Sequence, residues 1–184
     1  MNKFQFLMQF IKDREIACLM PTSQAAVEVV CRPINFNQTI TVVEYGPGNG
    51  VFCHYLLNKM TSDSTLIAIE TNQELINNLK TTITDKRFSV CLDSAEQVRE
   101  VIARYGLASV DYVISGIPFS FFDPDKKRRI VANTYKSLHA EGKFLVYQYS
   151  KHMMPYLKKE FKQVSSQFVL KNLPPMQLMI ASKA

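Results

Sequence analysis

A turn with three glycines, at residues 46–50, has the residue types and spacing best suited to hold a ligand. A short apolar run precedes it, and a helix-like segment follows it. Glycine lacks Cβ and tolerates positive φ, so the backbone of such a turn can approach a ligand closely. The next apolar run, 66–69, ends in Glu70, about 20 residues after the last glycine, where nucleotide-binding folds place the carboxylate that grips ribose hydroxyls. The pattern predicts a site for a nucleoside cofactor.

The spacing of the glycines and a preceding acid indicate which cofactor this is. Gly46, Gly48 and Gly50 fall as G-x-G-x-G, whereas turns that bind a pyrophosphate follow G-x-G-x-x-G. Glu44 stands two positions before the first glycine. A carboxylate there would repel a pyrophosphate, but it suits a ligand that carries a sulfonium and an ammonium. The chain here resembles the class I S-adenosylmethionine-dependent methyltransferases, whose first motif is an acid followed by x-G-x-G-x-G. A dinucleotide-dependent enzyme is the alternative.

The resemblance implies S-adenosylmethionine as cofactor, S-adenosylhomocysteine as product, and a set of binding residues. By this likeness, Glu44 and the glycine turn surround the methionine part, Glu70 holds the ribose, and Asp93 lies beside the adenine. The implied cofactor-binding set is Glu44, Tyr45, Gly46, Gly48, Gly50, Glu70, Thr71, Asp93, Ser94 and Ser115.

The order of the elements that must position these residues predicts an α/β fold. Strands and helices alternate along most of the chain, and two apolar runs near the end form a hairpin. Strands are predicted at 40–45, 65–70, 87–91, 110–115, 142–149, 163–170 and 176–182, and helices at 24–31, 51–60, 72–82, 94–104, 125–139 and 153–161. The expected fold is a Rossmann-like, doubly wound seven-stranded sheet, mostly parallel with an antiparallel C-terminal strand, in which the hairpin gives the sheet an antiparallel edge. One methyltransferase domain, 1–184, would comprise N-terminal helices (1–32) and a cofactor-binding core (38–184).

Composition narrows the protein class. The chain has 184 residues and a formal net charge of +6, which suggests an acidic partner such as nucleic acid or an anionic membrane surface. No window approaches 18 consecutive apolar residues, and we see no signal peptide. The four cysteines show neither metal-ligand spacing nor disulfide-like clustering, so we expect free thiols, no metal, and a cytoplasmic protein.

Two segments could contact an anionic surface. The run Lys126-Lys127-Arg128-Arg129 follows Asp123, a predicted helix N-cap, so four cations would oppose the helix dipole. A phosphate of a lipid or a nucleic acid would relieve this conflict, although nearby acidic side chains could also neutralise part of the positive charge. Residues 2–18 form a predicted amphipathic helix, which is either a lid over the cofactor or an interfacial helix on a membrane.

The acceptor should meet the cofactor at the end of the fourth strand, at the segment Ser115-Gly116-Ile117-Pro118-Phe119. The segment resembles the fourth motif of adenine N6-methyltransferases, including the rRNA adenine dimethyltransferases. Their motif places an Asn, Asp or Ser two residues before a proline and an aromatic. Here Gly116 occupies the position of the polar residue, and an unpaired buried amine donor would cost about 1–3 kcal/mol. Methylation of nucleic-acid adenine is therefore disfavoured.

Subfamily signatures give a closer resemblance. The Ser-Gly-Ile-Pro-Phe segment, with Asn172-Leu173-Pro174-Pro175, is similar to the bacterial phospholipid N-methyltransferases, which methylate phosphatidylethanolamine towards phosphatidylcholine. The likeness runs from about residue 4 to residue 180, and the chain departs from the pattern at Tyr45 and Asn49. It implies a phospholipid substrate, peripheral association with the inner face of the membrane, and lipid or anion binding by Lys126, Lys127, Arg128 and Arg129.

Methyl transfer to an amine mainly requires that donor and nucleophile be positioned at about 3–3.5 Å. The expected catalytic set is Ser115, Gly116, Pro118, Phe119 and Tyr147. Aromatic rings would stabilise the cationic centres, and the candidates are Tyr45, Phe119, Tyr147 and Tyr149. We see no dedicated histidine base, since His139 is predicted at the end of a surface helix, so water or Tyr147 would accept the proton. The alternatives are an RNA adenine or a small soluble amine as acceptor, and a non-catalytic lipid- or RNA-binding protein.

Overall fold

The computed structural model describes residues 22–183, and within them seven strands form one sheet. The strands are β1 Thr41–Tyr45, β2 Thr65–Glu70, β3 Phe88–Leu92, β4 Val110–Ser115, β5 Leu138–Gln148, β6 Gln163–Val169 and β7 Met176–Ser182. Their order across the sheet is β3-β2-β1-β4-β5-β7-β6. Strands β1 to β5 pair in parallel, and β7 pairs antiparallel with both β5 and β6. The predicted fold class is confirmed.

In the same described part of the chain, six α-helices cover the two faces of this sheet. They are α1 Gln24–Cys31, α2 Val51–Lys59, α3 Gln73–Thr82, α4 Val98–Arg104, α5 Pro124–Ser137 and α6 Met154–Glu160, with short 3-10 turns at Ala95–Gln97 and Phe119–Phe121. Val30, Leu56 and Leu79 bury the α1–α3 layer against one face of the sheet. Val101 and Ile130, among others, bury the α4–α6 layer against the other face. Within residues 22–183, no helix is long and apolar enough to cross a bilayer.

The structure confirms the antiparallel edge of the predicted sheet and corrects the start of one strand. The β6–β7 hairpin forms this edge, with β7 beside β5 and β6 outermost. Strand β5 begins at Leu138, four residues before its predicted start; its pairing with β4 shifts register between Leu138 and Lys143, where Glu141 takes a positive φ of 68°. His139 therefore lies in a strand rather than at a helix end, and its Nε2 is 2.7 Å from Asp111 Oδ1.

Side-chain caps fix the helix starts near the site. Asn72 Oδ1 accepts the backbone N–H groups of Glu74 and Leu75, and Asp123 Oδ1 accepts that of Lys126 at 2.7 Å. Such caps satisfy backbone donors that have no partner inside a helix. Because β1, β2 and β4 pair in parallel, their carboxyl ends and the residues that follow them meet at one edge of the sheet. The predicted helix at 2–18 lies outside the described residues, so its role as lid or interfacial helix stays a prediction.

Candidate active site

A cleft of about 410 Å³ opens at the carboxyl edge of the parallel strands. Its two sides come from different parts of the chain. The donor side includes Gly46, Gly48, Glu70, Thr71, Asp93 and Ser94. The acceptor side includes Gly116, Ile117, Pro118, Phe122, Lys126 and Ile130. The structure therefore brings together most of the predicted cofactor residues with part of the predicted acceptor segment.

The glycine turn has space only for glycine at its two ends. Gly46 has a φ of 65°, and a Cβ atom there would lie 2.7 Å from Ile117 Cγ2. Gly50 has a φ of 79° and stands at the N-cap of α2, where a Cβ atom would lie 2.7 Å from Leu79 Cδ2. Real Cβ contacts are not this short, and positive φ is costly for other residues. The turn therefore packs the end of β1 directly against the loop after β4.

Glu70 is held rigidly at the end of β2. Its Oε1 accepts the backbone N–H of Thr71 at 2.7 Å and that of Asn72 at 2.9 Å. The side chain is buried but lines the cleft. A carboxylate fixed in this way can accept hydrogen bonds from a pair of vicinal hydroxyls, as a ribose presents.

Glu44 is a buried carboxylic acid below the glycine turn. Its side chain is 1% exposed, Oε2 accepts a hydrogen bond from Cys53 Sγ at 3.0 Å, and Oε1 has no hydrogen-bond partner among residues 22–183. Burial raises the pKa of Glu44 to about 7; the Cys53 hydrogen bond opposes this rise and the charge of Glu70 adds to it. A buried acceptor without a partner is costly. Glu44 is not among the residues that line the cleft, so any contact with a ligand would come from beneath the turn.

Asp93 lines the cleft, and each of its two carboxylate oxygens has a partner in the protein. Oδ1 accepts the backbone N–H of Ser94 at 2.8 Å, and Oδ2 forms a salt bridge with the guanidinium of Arg104 on α4. Arg104 was missed by sequence reasoning, which had no signal for a partner 11 residues away in a different element.

Three predicted site residues have fully buried side chains. Tyr45 is fully buried, its hydroxyl lies 2.9 Å from Thr134 Oγ1, and its ring makes an edge contact with Phe144. Phe119 is also fully buried, at the start of the short turn after β4. Tyr45 is nonetheless among the residues that line the cleft, and the placement of the Tyr45 and Phe119 rings beside a cationic centre stays a prediction. Ser115 is fully buried as well, and its Oγ has no partner among residues 22–183.

Phe122 lines the cleft on the side of the loop after β4. It follows the 3-10 turn at Phe119–Phe121 and makes an edge contact with Phe119, with ring centres 5.9 Å apart. Lys126 Nζ lies 4.4 Å from the centre of the Phe122 ring. Sequence reasoning chose Phe119 because of its motif position, and only the local turn reveals which phenylalanine faces the cleft.

Tyr147 occupies the space beside Gly116. A Cβ atom on Gly116 would lie 2.2 Å from Tyr147 Oη, and the Tyr147 ring stacks on Phe52 at 4.6 Å. Burial, together with the charge of Glu44, raises the pKa of Tyr147 well above its usual value. The group therefore stays a neutral phenol near pH 7, and its role as proton acceptor stays a prediction. Its hydroxyl lies where a polar side chain at position 116 would have to be.

The basic run at the start of α5 is largely paired within the protein. Glu96 lies 2.8 Å from Arg129 Nε and 3.6 Å from Lys126 Nζ, and Asp125 pairs with Arg128. The predicted conflict with the helix dipole is therefore mostly relieved by acids of the chain itself, including the Asp123 cap. Lys127 lies 5.8 Å from the centre of the Tyr156 ring. Of the four cations, Lys126 lines the cleft.

Residues 22–183 contain no group of three or more histidine, cysteine, aspartate or glutamate side chains that could hold a metal ion.

Comparisons with known proteins add to this geometry. No family model matches the chain. It is 25% identical over 181 residues to an ornithine lipid N-methyltransferase from Singulisphaera acidiphila, an alignment that covers 94% of this chain and 91% of that protein.

Solved structures show the same fold at low identity. The N-methyltransferase NodS from Bradyrhizobium japonicum superposes with a TM-score of 0.67 at 12% identity, covering 87% of this chain and 93% of NodS. An S-adenosylmethionine-dependent O-methyltransferase from Thermotoga maritima gives a TM-score of 0.64 at 12% identity, covering 86% of this chain and 64% of that one. Together with the strand order and the glycine turn, these likenesses show that the chain has the fold of the class I S-adenosylmethionine-dependent methyltransferases.

Proposed function

We propose that the protein transfers methyl groups from S-adenosylmethionine to the amine of a membrane lipid whose headgroup joins that amine to an anionic group. The observation that carries the proposal is the contact between Gly116 and Tyr147. An adenine N6-methyltransferase motif needs a polar side chain at position 116, and here the Tyr147 hydroxyl fills that space. The acceptor segment is therefore poorly suited to an adenine base.

Two lipids share the required headgroup chemistry. Phosphatidylethanolamine, with its partly methylated forms on the way to phosphatidylcholine, is the acceptor implied by the sequence resemblance. Ornithine lipid is the acceptor named for the relative that aligns along most of this chain. Both lipids present a primary amine near an anion, which is a phosphate in the first and a carboxylate in the second.

Lys126 and Phe122 are the residues we propose for recognition of this headgroup. Lys126 lines the cleft beside Phe122, and it shares the single acid Glu96 with Arg129. Two cations around one carboxylate leave a net positive charge at the acceptor side. The face of an aromatic ring stabilises a nearby cation, so Phe122 also suits the ammonium that forms on methyl transfer.

On the donor side, we propose that Glu70 binds the ribose hydroxyls and that Asp93 and Ser94 lie beside the adenine. The buried acid Glu44 would stabilise the positive charges of the methionine part; its Oε1, which has no hydrogen-bond partner among residues 22–183, supports this role. The reaction needs an in-line approach of a neutral amine to the methyl group at about 3–3.5 Å. Tyr147 would position the acceptor as a hydrogen-bond donor, and water would remove the proton. The protein would work peripherally at the inner face of the membrane.

The test is an acceptor comparison with purified protein and S-adenosylmethionine labelled in its methyl group. Separate reactions contain vesicles of phosphatidylethanolamine with an anionic lipid, vesicles of ornithine lipid with the same anionic lipid, and RNA. We expect labelled lipid in at least one vesicle reaction and none in a Glu44→Ala control. Labelled RNA without labelled lipid would overturn the proposal, and the two vesicle reactions decide which headgroup is preferred.

A further inference from the structure

The loop between β6 and β7 displays large apolar side chains to solvent. Leu170 and Leu173 are each 75% exposed, and Phe168, near the end of β6, is 64% exposed. We call these three residues the apolar tip. Scattered exposed leucines are ordinary on protein surfaces, but three large apolar side chains within six residues indicate a contact site.

The apolar tip lies at the same edge of the sheet as the cleft. Strand β6 runs antiparallel to β7, which runs antiparallel to β5, so β6 points in the same direction as β5 and β4. The loop after β6 therefore emerges at the carboxyl edge, where Gly116 follows β4. Three strand spacings separate β6 from β4, a distance of about 14 Å. A flat surface that touched the tip would face this edge of the sheet.

The loop is fixed at its base, so the exposed side chains are held outward. Asn172 is buried; its Oδ1 accepts the Ser23 backbone N–H at 3.0 Å, and its Nδ2 donates to Pro174 O at 2.9 Å. Ser23 Oγ also donates to Lys171 O at 2.8 Å. Val169, between two members of the tip, is buried in the core. These contacts tie the loop to the start of α1 while Leu170 and Leu173 remain in solvent.

The surroundings of the apolar tip are basic. Lys151 Nζ lies 5.6 Å from the centre of the Phe168 ring, and the exposed Lys171 stands between the two leucines. Residues 161–184 contain three lysines and neither aspartate nor glutamate. Apolar side chains flanked by lysines match the layered chemistry of a bilayer surface, where acyl chains lie beneath anionic phosphates.

We propose that the protein docks on an anionic lipid bilayer through the apolar tip. Leu170 and Leu173 enter the interface between headgroups and acyl chains, while Lys151 and Lys171 contact lipid phosphates. In this orientation the cleft faces the lipid that supplies the amine. The docking orientation therefore rests on the proposed function.

The experiment measures binding of the full chain to phosphatidylglycerol vesicles by co-sedimentation. The double variant Leu170→Ser/Leu173→Ser should weaken binding by about tenfold or more, given the apolar area that two leucines bury. Lys171→Ala should weaken it by about fivefold, and this loss should shrink at high salt. The matched control is Tyr105→Ser, which replaces an exposed aromatic residue that follows α4. This variant should bind within about twofold of the wild type.

Unchanged vesicle binding of the leucine variant overturns the proposal. If a segment such as residues 1–21 or a second copy of the chain covers the tip instead, the variant will show a lower Tm or a changed mass in solution while vesicle binding is retained. Methyl transfer to lipid in detergent micelles separates docking from acceptor choice. If the leucine variant loses vesicle binding but still transfers methyl groups in micelles, docking is supported. If it loses both, the loop serves catalysis and the docking proposal is overturned. The wild type could also bind vesicles through the tip and methylate no lipid. That result would support docking and overturn the proposed acceptor.

Discussion

The hydroxyl of Tyr147 fills the space that a side chain at Gly116 would require, since a Cβ atom there would lie 2.2 Å from Tyr147 Oη. Tyr147 is held in this position by its stacking on Phe52 of α2. The acceptor segment and the fifth strand therefore form one unit, in which position 116 must be glycine as long as position 147 is tyrosine.

Gly116→Ala should lower lipid methylation by at least about tenfold, because the new methyl group displaces the Tyr147 ring that packs behind Gly116 and so shifts the acceptor segment lining the cleft. Combining it with Tyr147→Ala removes the clash, so the effects of the two substitutions should be strongly non-additive in a double-mutant cycle. Initial rates with saturating S-adenosylmethionine provide the measurement. Additive effects would show that the two residues act separately.

The buried acid Glu44 should make the stability of the cofactor-free protein depend on pH. Its pKa is about 7 when folded and 4.5 in the reference state, so the unfolded chain loses its proton first. Stability from this group is thus greatest below about pH 4.5 and declines as pH rises to about 7. Between pH 5 and pH 8, Glu44→Gln should gain up to about 3 kcal/mol in unfolding free energy relative to the wild type. Urea denaturation at both pH values measures the difference; a constant difference would contradict the raised pKa.

Binding of S-adenosylmethionine should release a proton near pH 6.5. The positive charges of the ligand favour ionised Glu44, so the wild-type Kd should decrease as the pH rises through about 7. Glu44→Gln should bind more weakly, with little dependence on pH in this range. Calorimetry in two buffers of different ionisation enthalpy counts the protons released. Equal proton release by wild type and variant would show that another group titrates.

Glu70→Gln should raise the Kd for S-adenosylmethionine by about tenfold or more, because hydrogen bonds to a charged group contribute roughly 1.5–3 kcal/mol. The matched control is Glu74→Gln, an exposed acid in the first turn of α3 that does not line the cleft. It should leave the Kd unchanged. Equal Kd values for the two variants would remove Glu70 from the proposed ribose site.

The neighbouring lysines of α5 form a second matched pair. Lys126 lines the cleft, whereas Lys127 lies over the Tyr156 ring. Lys126→Ala should raise the KM for the acceptor lipid by about five- to tenfold with a smaller effect on kcat, since it removes charge that binds the anionic headgroup. Lys127→Ala should change KM less than twofold. Equal effects would indicate general attraction to the vesicle surface instead of headgroup recognition.

The glycine turn and the order of the elements could be predicted because their signals are local. Apolar runs of strand length, glycine spacing and helix caps each occupy a few consecutive residues. The orientation of the Tyr45 side chain could not be predicted from the sequence, since its hydroxyl partner Thr134 lies 89 residues further along the chain. For the same reason, the pairing of Glu96 with Lys126 and Arg129 was hidden, and the basic run looked unpaired. The exchange of Phe119 for Phe122 reflects a short turn that the sequence motif does not specify.

The most direct test of the account is to follow one methyl group. Purified protein is mixed with S-adenosylmethionine that carries an isotopically labelled methyl group and with amino-lipid vesicles, and the products are analysed by mass spectrometry. The account predicts label on the headgroup nitrogen and an equal amount of S-adenosylhomocysteine. Bound S-adenosylmethionine that stays intact in the presence of both amino lipids, or label found in RNA alone, would contradict it.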